Sequence, residues 1–393
     1  METLKMGRFF EASVSKRRAC IFTGCFAMFT IACLRLYVWD GRRDVLMSEG
    51  LDLHDGRVLE REWEWARNIS IVYTWVNGSE SGFRDQRISY GGKESGGGNL
   101  DRDNDELLYS LRSLSKYLPW HVGKVYIVTQ NQIPTWLNVS NPRIQMVNHS
   151  DIIPGEFLPT YNSNVIDSYL HRIAGLTEIF LYFNDDVFVR SPLHPSDLFA
   201  PARGLKLFVE DLTIPLNHTQ QTAFIDGVRD QAYWRAFFST VRLLEETFGR
   251  ASMKPLRLLQ HTSHAFHRGA IERVHHLWAD ELQTAHRNKF REESDILFIY
   301  AYYGYLVHQG WTCCSLKQET FETEGGGDRI SFLDDTASNS RAIERLRARQ
   351  KPKFLNINDM MGHDATADDA RAQLTDFLRE EFGTEKSSFE LDF

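Results

Sequence analysis

One stretch decides the fold: Ile179-Phe-Leu-Tyr-Phe-Asn-Asp-Asp-Val-Phe-Val189. It also contains the chain's most concentrated group of candidate catalytic side chains. Its aromatic and aliphatic beginning is typical of a buried β-strand. Asn184, Asp185 and Asp186 follow at once, and a second apolar run covers residues 187–189. Neighbouring carboxylates at the end of a buried strand are unfavourable unless a cation or hydrogen-bond donors offset their charge. The pattern therefore predicts either a divalent-cation site or an Asn-Asp turn between two strands.

Length and composition are those of a globular protein. The chain has 393 residues, of which 42% are hydrophobic and 25% are charged. It could hold two or three average domains, or one large α/β domain with appendages. The net charge of -8 argues against a nucleic-acid partner, because phosphate backbones require clustered Lys and Arg.

An apolar segment near the N-terminus predicts a membrane anchor. Residues 19–39 are just long enough to cross a bilayer, and basic residues before them favour a cytoplasmic N-terminus. We expect a cytoplasmic tail (residues 1–18), an uncleaved anchor (19–39), a stem (40–68) and a catalytic domain (69–393). A cleaved signal peptide is the alternative. Glycosylation sequons at five asparagines fit this topology: Asn68, Asn77, Asn138, Asn148 and Asn217.

Strand and helix patterns alternate along the predicted catalytic domain. Strand character is found in residues 69–78, 124–129, 144–148, 179–183 and 353–358. Helical spacing is found in residues 105–117, 164–173, 270–282, 295–306, 341–350 and 367–382. This order predicts an α/β fold, with a mostly parallel twisted sheet flanked by helices. Residues 216–258 look helical around residues 233–248 and are predicted to form a spacer or a lid.

Two further stretches suggest ligand contacts. The first strand ends at Asn77 and Gly78, a usual place for a nucleotide, and Trp75 could contact a base or sugar there or simply belong to the core. His261, His264 and His267 recur at a spacing of three. Such histidines could bind zinc, but no carboxylate or cysteine completes a set nearby, and phosphate binding or proton transfer is equally plausible.

Four blocks of the sequence resemble the Stealth family of sugar-1-phosphate transferases. The first is Val72-Tyr-Thr-Trp-Val-Asn-Gly78. The second begins at Asn104-Asp-Glu-Leu-Leu-Tyr-Ser-Leu-Arg-Ser113 and runs through Leu158-Pro-Thr-Tyr-Asn-Ser-Asn164 to Asn184-Asp-Asp186. Residues 261–295 resemble the third block and residues 353–391 the fourth.

The resemblance implies a nucleotide-sugar transferase with a GT-A-like fold that acts in the Golgi membrane as a type II protein. A sugar 1-phosphate would pass from a nucleotide sugar, with UDP-GlcNAc as the first candidate, to a hydroxyl of an acceptor glycan. The family's catalytic positions fall at Asp167, Asp186, His261 and Arg291. A homodimer is one expected assembly.

Physical chemistry suggests roles for these positions. Asp186, together with Asp185 and with Asp359 or Asp167, could hold Mg²⁺ or Mn²⁺ against the diphosphate. Arg291 could grip the transferred phosphoryl group, and His261 or Asp167 could take the proton from the acceptor. Substrate contacts are expected from Trp75, Asn77, Gly78, Arg112, Asn162, Asn164 and His264. A metal-dependent glycosyltransferase of the same sheet type is the nearest alternative, and a non-catalytic lectin-like Golgi protein is a second.

Overall fold

The computed structural model describes residues 56–92, 102–200, 204–214, 218–227, 231–253, 256–314, 322–323, 326–362 and 367–392. The chain divides into two units, residues 1–58 and residues 59–393. The predicted tail, the predicted anchor and the first part of the predicted stem lie outside the described residues. The strands and helices of the catalytic fold belong to the second unit.

The expectation of a membrane-spanning helix is corrected. Among the residues that the structure describes, no helix combines the length and the apolar character needed to cross a bilayer. The segment predicted as the anchor, residues 19–39, is not among them. Within the described residues the fold class is mixed α/β and includes no membrane-spanning helix, so the prediction of a single-pass protein of the Golgi membrane is not supported.

The central sheet is mostly parallel, as the sequence predicts. In chain order the strands are β1 Ser70–Thr74, β2 Val125–Thr129, β3 Ile144–Asn148, β4 Ile179–Asn184, β5 Val187–Val189, β6 Phe199–Ala200, β7 Gly204–Leu205, β8 Leu207–Thr213, β9 Arg257–Leu259, β10 His264–His267, β11 Glu322–Thr323, β12 Gly327–Phe332 and β13 Phe354–Asp359. The central sheet has the order β10-β4-β1-β2-β3. Strands β3, β2, β1 and β4 are parallel, whereas β10 runs antiparallel to β4. Strand β4 is apolar and buried up to Phe183, which fits its central place.

Helices pack on this sheet and on the other sheets of the domain. In chain order they are α1 Ser81–Ser89, α2 Glu106–Tyr117, α3 His149–Ile152, α4 Ser163–Tyr169, α5 Pro195–Leu198, α6 His218–Asp226, α7 Gln231–Phe248, α8 Arg268–Leu277, α9 Ala279–Ala285, α10 Phe298–Cys313, α11 Thr336–Arg347 and α12 Asp368–Phe382. Helix α2 is fixed by hydroxyl groups between two sheets. Ser110 Oγ lies 2.9 Å from the Tyr73 hydroxyl on β1 and donates to the carbonyl of Val187 on β5. This contact holds the first turn of α2 beside the end of β4.

A second sheet begins where β4 ends. It has the order β12-β13-β5, with β13 parallel to β12 and antiparallel to β5. The chain leaves β4 of the central sheet, passes through Asp185 and Asp186, and enters β5 of the second sheet. The acidic pair therefore lies at the junction of two sheets, and the end of β13 brings Asp359 to the same region.

Two predicted domain limits need correction. Leu59 is 5% exposed and Ala66 is fully buried in the core, so residues 59–68 belong to the catalytic unit rather than to a stem. Helix α7, within the predicted spacer or lid, also belongs to the core. Its Phe237 packs edge-on against Tyr300 of α10, and its Thr240 hydroxyl accepts a hydrogen bond from the Leu297 amide. This helix is therefore a structural element of the domain and not a lid.

Candidate active site

A cavity of about 610 Å³ opens at the carboxyl ends of the strands. Strand β1 contributes Thr74 with the adjoining Trp75, and β13 contributes Asp359. The connection from β4 to β5 contributes Asp185 and Asp186. Ligands of open α/β sheets bind at this edge, because side chains from several strands converge there.

One wall of the cavity is acidic. Burial together with the charges of Asp186, Glu106 and Asp103 raises the pKa of Asp185 well above its usual value. Desolvation likewise raises the pKa of Asp186 to about 6, although the Asn356 amide and the charge of Arg329 partly oppose the shift. Glu106, the first residue of α2, is 5% exposed, and its burial raises its pKa to about 8. These buried carboxyl groups would be stabilised in their charged form by a cation.

Asp359 forms the other side of this wall. Its Oδ2 lies 3.4 Å from Arg102 Nη1 and accepts a hydrogen bond of 3.1 Å from the Asn104 side chain. Asn104 also donates to Glu106, so a single amide connects the end of β13 to the start of α2. Asp359 is therefore partly neutralised by a cation of the protein, whereas Asp185 and Asp186 are not paired in this way within the described residues.

The residues present fit a divalent cation that is shared with a substrate. Asp186 Oδ1 is buried and has no hydrogen-bond partner, which is costly for a carboxylate oxygen without a ligand. Within the described ranges, however, no group of three or more His, Cys, Asp or Glu side chains is placed to hold a metal ion unaided. Mg²⁺ commonly binds through one or two carboxylates and completes its shell with water and phosphate oxygens. The arrangement around Asp186 is compatible with that mode.

The cavity is also lined by Asp167, on helix α4. The Tyr182 hydroxyl lies 2.7 Å from Asp167 Oδ1 and 2.6 Å from Asn184 Oδ1. It also lies 3.0 Å from Thr74 Oγ1. A hydroxyl carries one proton, so Tyr182 divides its donation between the two oxygens. Desolvation raises the pKa of Asp167 to about 7, and the Tyr182 hydrogen bond and the charge of Arg291 hold it from rising further.

Arg291 and an aromatic wall complete the cavity. The Arg291 guanidinium donates to Ser163 Oγ at the start of α4, with distances of 2.8 and 3.2 Å from its two nitrogens. The rings of Tyr161 and Phe290 stack with their centroids 5.2 Å apart, and the Arg87 guanidinium lies over Phe290. All five of these side chains line the cavity. Stacked rings beside a cation suit a flat base or the apolar face of a sugar.

Trp75 lies in the cavity, whereas the turn that follows it is outside. Trp75 is 5% exposed, and its indole Nε1 is buried without a hydrogen-bond partner. Asn77 caps the turn, since its Oδ1 accepts hydrogen bonds from the backbone and side chain of Ser79. Neither Asn77 nor Gly78 lines the cavity. The structure thus places Trp75, but not these two residues, where a substrate could contact it.

Three other residues predicted to contact the substrate make structural contacts within the protein instead. Asn162 donates to Asp295 Oδ2 at 2.7 Å, and Asn164 lies 3.5 Å from the same oxygen, which also accepts from the Glu292 amide. These asparagines therefore hold the loop that carries Arg291. Arg112 forms a salt bridge with Glu390, with 2.7 Å between Nη2 and Oε2. None of the three lines the cavity.

The two predicted site histidines also lie outside the cavity lining. His261 Nε2 is 3.0 Å from Nη1 of Arg329. Because a guanidinium only donates, Nε2 must accept, and the imidazole is neutral with its proton on Nδ1. Desolvation and the charge of Arg329 lower the pKa of His261 to about 4. His264 lies on β10 opposite Tyr182, its Nδ1 is buried without a partner, and burial lowers its pKa to about 4.

Several cavity or neighbouring residues were not among the sequence predictions: Asn184, Glu106, Arg329, Tyr161 and Phe290. Two of these residues have a signal in the sequence that could have identified them. Asn184 stands in the Asn-Asp-Asp run at the end of β4, and Glu106 is an acidic residue at the start of the 105–117 helix. Arg329 follows a glycine-rich stretch and gives no local signal. The stacking of Tyr161 on Phe290 joins distant parts of the chain and could not be predicted from either residue.

Family models match three separate stretches. Residues 67–95 match Stealth protein conserved region 1, residues 101–207 match conserved region 2, and residues 260–308 match conserved region 3. These stretches contain the first three of the blocks noted in the sequence, and with them Trp75, Asp167, Asp186, His261 and Arg291. The proposed fourth block at residues 353–391, which includes Asp359, stays a prediction.

Similar proteins with curated names are bacterial polysaccharide phosphotransferases. An exopolysaccharide phosphotransferase of Streptomyces coelicolor is 32% identical over 323 residues, which cover 80% of this chain and 50% of that protein. A capsular polysaccharide phosphotransferase of Haemophilus influenzae is 32% identical over 234 residues, which cover 58% of this chain and 62% of that protein. The chain thus spans about half the length of the first of these relatives.

Solved structures give a weaker likeness. The galactosyltransferase LgtC, in complex with donor and acceptor sugar analogs, is 11% identical, with a TM-score of 0.39 over 81% of this chain and 98% of that chain. The apo form of mouse xyloside xylosyltransferase 1 is 10% identical, with a TM-score of 0.35 over 74% of this chain and 97% of that chain. These scores are too low to carry a functional argument.

Proposed function

The chain belongs to the Stealth family, and we propose that it transfers a sugar 1-phosphate from a nucleotide sugar to a hydroxyl of an acceptor glycan. The acceptor oxygen attacks the phosphorus that bears the sugar. The bond from this phosphorus to the bridging oxygen of the diphosphate breaks, and a nucleoside monophosphate leaves. The new bond completes a phosphodiester, and the acceptor gives up its hydroxyl proton. UDP-GlcNAc is the first candidate donor.

The observation that carries this proposal is that one cavity brings together buried carboxyl groups and an arginine. The acidic side chains of Asp185, Asp186 and Asp359 lie on one wall, and Arg291 and Asp167 line the same cavity. Phosphoryl transfer requires mainly positioning and neutralisation of negative charge on the reacting group. Both functions are available from residues that this cavity already brings together.

We assign the acidic wall to the diphosphate through Mg²⁺ or Mn²⁺. Asp186 would hold the cation beside Asp185, while Asp359 stays paired with Arg102. When bound, such an ion neutralises the diphosphate oxygens and stabilises the leaving nucleotide. Asp186 is suited to this role because its Oδ1 is buried and has no hydrogen-bond partner among the described residues. Asp185 supplies a second negative charge beside it.

We assign Arg291 to the transferred group and Asp167 to the proton. The Arg291 guanidinium presents a planar fork of donors that matches phosphate oxygens. Asp167 has a pKa raised to about 7, which suits a general base near neutral pH. His261 is the alternative base, but its Nε2 is occupied by the Arg329 hydrogen bond. Asp167 is therefore the base that we favour.

The donor and acceptor would share the rest of the cavity. The stacked rings of Tyr161 and Phe290 give a flat surface for the base or for a sugar. Trp75 lines the cavity, and its indole N–H could donate to a carbonyl of the base or to a sugar hydroxyl. We include both in the substrate-binding part of the proposal.

A donor screen tests the proposal. The purified full chain is mixed with Mg²⁺ or Mn²⁺, a panel of nucleotide sugars and a mixture of glycan acceptors, and nucleotide release is measured. We expect release that depends on both the donor and an acceptor, and that stops when EDTA removes the cation. Arg291→Lys keeps the charge but loses the fork, so release should fall at least about tenfold. Arg287→Lys in the same loop, whose arginine pairs at 3.7 Å with Glu156, is the matched control. Unchanged release by Arg291→Lys would contradict the assignment.

A further inference from the structure

We propose that Asp295 is a positioning residue for the transfer reaction, and that it holds Arg291 in place against helix α4. This inference rests on the proposed function, in which Arg291 grips the transferred phosphoryl group. Asp295 itself does not line the cavity. It would act through the loop that carries Arg291, which runs from the end of α9 to the start of α10.

Asp295 is a buried carboxylate whose charge is offset by amide groups. It is 1% exposed. Its Oδ1 accepts a hydrogen bond of 2.8 Å from the Asn288 side chain. Its Oδ2 accepts one of 2.7 Å from the Asn162 side chain and one of 3.1 Å from the Glu292 backbone amide. Both oxygens therefore meet donors only, an arrangement that suits a carboxylate. A buried group that is satisfied in this way fixes the segments that supply the donors.

These hydrogen bonds join two segments of the chain. Asn288 and Glu292 belong to the same loop as Arg291, so the carboxylate closes that loop on itself. Asn162 belongs to the segment before α4, and its Oδ1 caps this helix by accepting the Asn164 amide hydrogen. One carboxylate thus connects the loop of Arg291 to the first turn of α4.

Backbone contacts join the same two segments on the other side of Arg291. The Asn162 side-chain amide also donates to the Phe290 carbonyl at 3.3 Å. The Tyr161 backbone amide donates to the Lys289 carbonyl at 2.8 Å. The loop is therefore held before Arg291 by these contacts and after it by Asp295. Because the Arg291 side chain is long and exposed, its direction depends on where this backbone lies.

The position of Arg291 affects two parts of the proposed reaction. Its guanidinium donates to Ser163 Oγ in the first turn of α4, and this contact directs it along the cavity wall. Its charge also acts on Asp167 in the same helix: desolvation raises the pKa of Asp167 to about 7, and the charge of Arg291 opposes a larger rise. A displacement of about 1 Å at a reacting centre can cost about a hundredfold in rate. Loss of the Asp295 contacts should therefore weaken the grip on the phosphoryl group and also change the base.

A double-mutant cycle with Arg291→Lys tests the inference. Asp295→Asn keeps the size of the side chain but turns an N–H towards one set of donors, so the loop should loosen. We expect kcat/KM to fall about tenfold or more in the unmodified protein. In the Arg291→Lys protein the planar fork is already lost, so the same change should cost less than about threefold there.

Asn288→Ala is a milder second variant. It removes one donor to Asp295 and leaves the charge of Asp295 in place. We expect a smaller fall in kcat/KM, with the same dependence on Arg291. If the Asp295→Asn protein does not fold, this variant answers the same question.

The pH dependence of kcat/KM is a second readout. A displaced Arg291 no longer stabilises the charged form of Asp167, so the rise in activity with pH should move to higher pH in both variants. Loss of the Asp295 charge by itself would move it to lower pH, because a nearby negative charge raises the pKa of a carboxyl group. A loss of stability alone would not move it.

Glu390→Gln is the matched control. It removes the charge of a buried carboxylate that pairs with Arg112 and does not line the cavity. It should lower the thermal midpoint and leave kcat/KM and its pH dependence unchanged, with or without Arg291→Lys.

Three results would overturn the inference while the transfer activity stands. They are no fall in kcat/KM, equal falls with and without Arg291→Lys, and a rise in activity that stays at the same pH or moves to lower pH. If Arg291→Lys is as active as the unmodified protein, the proposed role of Arg291 fails, and this inference fails with it.

Discussion

At the scale of single residues, Asp186 is the most informative position. A carboxylate there is unfavourable by itself, since its Oδ1 is buried without a partner and Asp185 lies next to it in the chain. Asp186→Asn keeps the size of the side chain and removes the charge. If Asp186 binds a cation, turnover should fall at least about a hundredfold, because several kcal/mol of transition-state stabilisation are lost. The thermal midpoint should stay the same or rise, because the repulsion from Asp185 is relieved.

The measurement is turnover at limiting Mg²⁺ or Mn²⁺, together with thermal melting. Asp376→Asn, an exposed residue that pairs with Arg379 within helix α12, is the control for a loss of one negative charge. Near-normal turnover of the Asp186→Asn protein would mean that Asp186 only forms the turn between β4 and β5. The cation site would then have to be sought around Asp359.

The assignment of Asp167 as the base predicts how activity depends on pH. A base must be deprotonated, so activity should rise with pH through about 7, the raised pKa of this carboxyl group. The Tyr182 hydrogen bond stabilises the charged form and holds the pKa down. Tyr182→Phe removes that bond, so the pKa should rise and the rise in kcat/KM should move to higher pH. A shift to lower pH, or no shift, would contradict the role of Asp167 as the base.

The sequence located the site residues that follow predicted strands and missed those that depend on tertiary contacts. Asp185, Asp186, Asp359 and Trp75 follow or end strands, and the edge of a sheet necessarily brings such residues together. Arg112, by contrast, has the same appearance in the sequence whether it binds a substrate or pairs with Glu390. Partners so far apart along the chain become neighbours only in the folded molecule.

At the scale of secondary-structure elements, strands with a regular apolar pattern were predicted from the sequence, whereas short strands were missed. The parallel strands β1, β2, β3 and β4 were predicted to within a few residues, since β1, β2 and β4 contain continuous apolar runs and β3 is apolar at three of its five positions. Strand β10 was missed because His264-Ala-Phe-His267 is short and half polar, and β12 because glycines precede it. Helix α11 begins at Thr336, earlier than predicted, because the Asp335 side chain caps it by accepting the Ala337 amide hydrogen.

The segment before β1 allows a prediction at this scale. Gly123, ahead of β2, packs so closely on the backbone of Asn68 and Ile69 that an added Cβ would overlap the Ile69 carbonyl oxygen. Gly123→Ala should therefore lower the free energy of unfolding by about 1–3 kcal/mol. Gly82→Ala in helix α1, where a Cβ meets nothing within 4 Å, should be neutral or stabilising by up to about 1 kcal/mol.

Chemical denaturation of both variants distinguishes two views of residues 59–68. If they were a flexible stem, the chain could move away from the new methyl group, and Gly123→Ala would cost little. If they are part of the catalytic unit, as the burial of Leu59 and Ala66 indicates, the strain cannot be relieved. Equal stabilities of the two variants would contradict the second view.

At the scale of the whole molecule, the junction of two sheets determines the chemistry. The central sheet supplies β1 and β4, the second sheet supplies β13, and the connection between them carries the acidic pair. This arrangement could hold a nucleotide sugar for either of two reactions, because sugar-phosphate transfer and sugar transfer use the same donor. They differ in the bond that breaks, and hence in the nucleotide that leaves.

The identity of the leaving nucleotide therefore tests the central claim most directly. The full chain is incubated with Mg²⁺ or Mn²⁺, an acceptor glycan and UDP-GlcNAc, or with another nucleotide sugar that it consumes. The nucleotide is identified by chromatography and the glycan by phosphorus NMR. Our account predicts a nucleoside monophosphate and a phosphodiester signal in the glycan. Release of a nucleoside diphosphate, with no phosphorus in the glycan, would contradict it.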